Sequence, residues 1–149
     1  MGFIGNVLWF VFGGGLLTCL LWSLLGAVFA ITIVGIPFAK ACFRIARFAA
    51  LPFGKELIDG RLVGEERKTG TGFVNVLWIV LAGVWLAITH TLIGLVDCIS
   101  VVGIPFGLAN FKLAKVAFAP LGKTAVSSAL AKEAIARAAK QELEEKLSK

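Results

Sequence analysis

Charge is what this sequence has least of. No charged side chain precedes Lys40, and between Phe73 and Phe111 the one formal charge is Asp97. A soluble domain must cover itself with charge, so uncharged runs of this length exclude an ordinary soluble core. Apolar stretches of about 18 residues or more read as membrane-spanning. Catalytic vocabulary is equally thin. There is one histidine, His90, the cysteines (Cys19, Cys42 and Cys98) form no C-x-x-C pair, and no Walker or dinucleotide glycine pattern occurs. Paired acids and a nucleophile–base set are missing, so the sequence gives no reason to expect an enzyme, a metal site or a cofactor. A cleaved signal peptide is not expected either, because the first apolar run is too long and no basic segment precedes it.

What is present is apolar and repeated. Hydrophobic residues make up 58% of the chain and charged residues 16%, with a mean hydropathy of +0.91. VGIPF stands at residues 34–38 and again, unchanged, at 102–106. Asn6 and Trp9 match Asn75 and Trp78 at an offset of 69, whereas Pro37, Pro52 and Lys55 match Pro105, Pro120 and Lys123 at an offset of 68. One residue has therefore been inserted or lost within the block, and a turn is the expected place. Two copies of a module of about 55 residues point to a duplicated supersecondary unit rather than a solenoid.

Residues 3–38 carry no charge. As one helix they would reach ~54 Å, against ~30 Å of hydrocarbon. Two spans with a turn fit better: Phe3–Leu21, with Trp22 and Ser23 at the interface, then Leu24 or Gly26 onward to Pro37. The second block gives Phe73–Thr89, the polar patch Thr89–Thr91, then Leu92 toward Pro105. The alternative is one tilted span per block followed by a re-entrant segment ending at VGIPF.

After each VGIPF comes a basic segment, with Lys40, Arg44 and Arg47 in the first copy and Lys112 and Lys115 in the second. Lys40, Arg44 and Arg47 share one helical face, as in an amphipathic helix facing anionic headgroups. The positive-inside bias puts both segments, and with them both termini, in the cytoplasm. The copies then share one topology, as parallel repeats about an axis along the membrane normal. The net charge of +6 sits at the membrane ends, which favours lipid over nucleic acid as the basic partner.

The expected fold is thus an all-α integral membrane protein of two parallel tandem repeats, each a transmembrane helical hairpin followed by an amphipathic basic helix. The divisions are 1–58, first repeat; 59–72, cytoplasmic linker with a small hairpin around Asp59–Leu62; 73–123, second repeat; and 124–149, cytoplasmic C-terminal helix capped by Thr124, Ser127 or Ser128. Gly35, Pro37, Gly103 and Pro105 should bend the chain, as a gate or as an interfacial kink. Asp97 is costly in hydrocarbon, so it should face protein or water. A stripe of His90, Asp97 and Ser100, with Thr32 equivalent to Ser100, is the candidate aqueous path, against a carboxylate tied to a neighbouring helix. Asn6 and Asn75 are expected to bond across helices.

Asn6–Trp9, Gly35–Pro37 and Pro52–Gly54, repeated as Asn75–Trp78, Gly103–Pro105 and Pro120–Gly122, together with Ala109–Lys112, resemble the YccF-type bacterial inner membrane proteins. The resemblance covers residues 3–123. It implies a multi-pass protein of the bacterial inner membrane and transfers no catalytic residue. Two functions stand side by side. The first is an ion channel or transport pathway built as a homo-oligomer around a small ion. The second is a non-transport scaffold or assembly partner.

Overall fold

The computed structural model describes residues 2–66 and 70–148. Each repeat folds as a long first arm, a tight turn and a short second arm. In the first repeat the long arm is α1 (Gly2–Phe12) and α2 (Gly15–Ala30), and the short arm is α3 (Ile36–Ala50). In the second, α4 (Thr71–Trp78) and α5 (Val84–Asp97) are joined by a π turn at Ile79–Gly83, and the short arm is α6 (Ile104–Phe118). α2 packs on α3, and α5 on α6.

The reversals fall at VGIPF, which corrects the expected span boundaries. α2 runs unbroken through Trp22–Ser23, and α5 through Thr89–Thr91. The polar side chains that suggested breaks are satisfied inside their own helices: Ser23 donates to the Cys19 carbonyl at 2.8 Å, Thr89 to Trp85 at 2.8 Å and Thr91 to Ala87 at 2.7 Å. The prolines do not kink a span. Pro37 and Pro105 lie in the first turns of α3 and α6, where a missing N–H costs nothing. Gly35 and Gly103 make the turn possible. Their N–H groups donate to the Thr32 and Ser100 hydroxyls at 3.0 and 2.9 Å. A Cβ on either would lie 2.0 Å from a backbone carbonyl, that of Phe29 or of Asp97.

Among the described residues one helix, Thr71–Asp97, is long and apolar enough to cross a membrane; at 27 residues it reaches ~40 Å. In the first repeat α1 and α2 qualify only together and are bent by 71°. The one-residue shift between the copies explains the difference. Gly15 and Gly83 play the same part: a Cβ would lie 2.5 Å from the Trp9 indole edge in the first case and 2.9 Å from that of Trp78 in the second. The first copy has one residue more between its tryptophan and this glycine. A π turn absorbs the path in the second copy, while the first breaks at Gly14, whose φ is +82°.

The bases of the hairpins are closed by the repeated Asn and Trp. Asn6 donates to the Phe53 carbonyl at 3.1 Å and accepts from the Phe53 N–H at 2.9 Å. Asn75 does the same with Leu121, at 3.1 Å in both directions. Trp9 donates to the Ala49 carbonyl at 2.6 Å and Trp78 to that of Ala117 at 2.8 Å. α3 and α6 end at Ala50 and Phe118, and Gly54 and Gly122, with φ of 82° and 79°, turn the chain into strands rather than capping the helices directly.

Those strands correct the all-α expectation. β1 (Lys55–Asp59) pairs antiparallel with β2 (Lys123–Ser127), centred on Leu57 opposite Ala125. Equivalent residues of the copies are therefore exchanged about that centre. Asp59 accepts from the Arg61 N–H at 3.1 Å and caps a single 3-10 turn, Gly60–Val63, where a hairpin was expected. Arg61 also pairs with the Asp59 carboxylate, whose pKa its hydrogen bond lowers to about 2. α7 (Ser128–Leu147) is capped by Ser127 and docks through Ala131 and Ala134 on Ile58. Its pairs Lys140–Glu144 and Glu142–Lys146 are formed at 3.9 and 2.7 Å.

Candidate functional site

The two repeats meet in one core. Phe38, near the start of α3, stacks on Trp78 of the other repeat, with ring centroids 5.6 Å apart. Its equivalent Phe106 lies 5.9 Å from Trp9. Trp22 and His90 occupy equivalent positions, at an offset of 68, and their rings are nearly parallel, 5° apart, with centroids separated by 6.3 Å. These reciprocal contacts and the ribbon share one internal pseudo-two-fold relation.

A chain of hydrogen bonds starts at that pair. The Trp22 Nε1–H donates to His90 Nε2 at 3.4 Å, which leaves the His90 proton on Nδ1. Nδ1 then donates to Asn110 Oδ1 at 3.1 Å, and Asn110 Nδ2 donates to Asp97 Oδ2 at 2.9 Å. His90 and Asn110 are buried, at 7% and 2% exposure, so the network joins α2, α5 and α6 in the interior. Asp97 is half-buried at the end of α5, beside exposed Ile99, Val101 and Val102.

His90 and Asp97, expected on one face, are thus brought together through Asn110, which sequence reasoning gave no role. The signal was in the repeat itself. Where the second copy has His90, Asp97 and Asn110, the first has Trp22, Phe29 and Cys42. These three departures toward polarity are the residues bonded to one another. Ser100 and Thr32 do not join them, because their hydroxyls hold the turn glycines.

The basic residues divide in a similar way. Arg44 donates to the Lys123 carbonyl, and its equivalent Lys112 to the Lys55 carbonyl at 3.4 Å while pairing with Glu56 at 2.7 Å. Each ties its helix to the first residue of the other repeat's strand, which a purely lipid-facing role did not anticipate. Lys40, Arg47 and Lys115 stay exposed. Among the described residues no group of His, Cys, Asp or Glu is placed to hold a metal.

The profile of the inner membrane component domain, YccF, matches residues 4–55 and again 73–123. The chain belongs to the YccF family. Each match covers a long arm, its turn and a short arm and ends at the first residue of the strand that follows, so the structural repeat and the family domain coincide. Over 140 residues the chain is 36% identical to the inner membrane protein YccF of Escherichia coli K12, covering 89% of this chain and 94% of that one. The Shigella flexneri protein of the same name matches to the same extent. No solved structure matches. YccF membership makes this a small, mostly helical membrane component of the bacterial inner membrane.

Proposed function

We propose that the chain is a non-conducting inner-membrane scaffold. Its two hairpins are embedded in lipid from one side, and the β-ribbon, linker and α7 form a cytoplasmic platform for a partner. The observation that carries this reading is the buried network at the pseudo-two-fold. Trp22, His90 and Asn110 bond to one another, and Asn110 holds one carboxylate oxygen of Asp97, so they act as a helix clamp. The positive-inside bias supports the orientation, since Lys40, Arg47 and Lys115 stay exposed on the short arms.

A second reading, an oligomeric ion pathway, has one observation in its favour. Asp97 is only half-buried beside an apolar tip, where a carboxylate needs water or a donor from another copy. Flux of cations and anions into liposomes, measured beside detergent sizing, separates the two. The scaffold account expects no flux from wild type and a native-sized D97N, because asparagine can still bond to Asn110. Cation flux that falls in D97N would replace the scaffold with the pathway.

A further inference from the structure

A groove of about 530 Å³ runs along the outer face of α3. Its chemistry changes in one direction. Near the tip its wall is Ile33, Ile36 and Pro37; one and two turns on come Lys40 and Arg44; the far end is carried by linker residues, including Glu65 and Glu66. Val74 of α4 and Leu121 form part of the remaining wall. Ile36, Lys40 and Arg44 share a helical face and span ~12 Å.

We infer that this groove binds one phospholipid with a primary-amine headgroup. The order of its walls matches the order of groups in such a lipid: acyl chain, phosphate, ammonium. Lys40 and Arg44 present ammonium and guanidinium donors to a phosphate. Glu65 and Glu66 are exposed and form no ion pair among the described residues, so they are available to accept from an ammonium. Asp59 and Arg61, also in the wall, neutralise each other at 3.0 Å. An anionic headgroup without an amine would satisfy the cations but bring no donor to two carboxylates that have no ion-pair partner among the described residues. A choline headgroup would supply the charge without an N–H to donate. The inference holds for a scaffold and for an ion pathway alike.

The test uses the full chain, delipidated in a non-ionic detergent. It is titrated with dioctanoyl phosphatidylethanolamine, phosphatidylcholine and phosphatidylglycerol, and bound lipid is counted by native mass spectrometry. Wild type should bind the ethanolamine lipid about tenfold more tightly than the other two. E65Q/E66Q should lose that preference over the glycerol lipid, and K40Q should weaken all three by about fivefold. Both changes are at exposed positions, and elution volume with thermal midpoint reports whether the fold is kept. The methylation step from ethanolamine to choline is read on wild type alone, so it stands even if a variant misfolds. Equal binding of the three lipids, a preference for the glycerol lipid, or an unchanged preference in E65Q/E66Q would overturn the inference.

Discussion

Gly35→Ala or Gly103→Ala should be the most damaging single-methyl addition in the chain. Both glycines have ordinary right-handed φ, so strain in the backbone is not the reason. The reason is space. The new Cβ would lie 2.0 Å from the Phe29 or the Asp97 carbonyl, and 2.5 or 2.8 Å from the hydroxyl of Thr32 or Ser100. Backbone cannot give by that much without opening the turn, so a loss of at least ~3 kcal/mol is expected. Pro37→Ala and Pro105→Ala are the controls. They restore an N–H where a helix start leaves it unbonded in any case, and should cost under ~1 kcal/mol. Thermal midpoints in one detergent read all four variants. A silent G35A beside a damaging P37A would return VGIPF to the role of a kink within a span.

Asn110→Leu should come next. It removes the acceptor for His90 Nδ1–H and the donor to Asp97 together, in a site where Asn110 is 2% exposed. Leaving a buried donor and a half-buried carboxylate without partners should cost ~3 kcal/mol. Adding Asp97→Leu, which resembles the first repeat's Phe29 in being apolar, removes one of the stranded groups. The double variant should then be more stable than the sum of the single losses by ~1 kcal/mol or more. Strict additivity would mean that Asn110 and Asp97 do not act as a pair.

The repeat was legible because its residues do the same thing twice. Asn6 and Asn75 hold the same loop backbone, and Trp9 and Trp78 the same helix end, so identity at a fixed offset follows from identical bonds. The direction of the chain at VGIPF was not legible. Both arms of each hairpin are apolar along their contacts, so hydrophobic periodicity reads alike for a kinked span and a reversal. The decision lies in the fit of a glycine against a carbonyl six residues earlier, which no local propensity encodes. KELID and KTAVS were missed for a different reason. Each is a five-residue strand whose partner lies 68 residues away, and neither would be stable alone. Of the polar network, His90 and Asp97 were visible as rare polar residues in apolar runs. Asn110 was hidden because it stands among basic residues, where polarity attracts no notice.

The reversal at VGIPF is the centre of the account, and cysteine accessibility in spheroplasts tests it most directly. The background replaces Cys19, Cys42 and Cys98, and single cysteines are placed at Gly64 and Thr91. With the turn at 98–103, Thr91 is an exposed position inside α5, and embedding the hairpin from one side would turn it to lipid, so T91C should resist an impermeant thiol reagent added outside. G64C should react only when the reagent reaches the cytoplasmic face. Outside labelling of T91C would contradict the account, because Thr91 would then stand at the outer surface and not within the embedded part of α5.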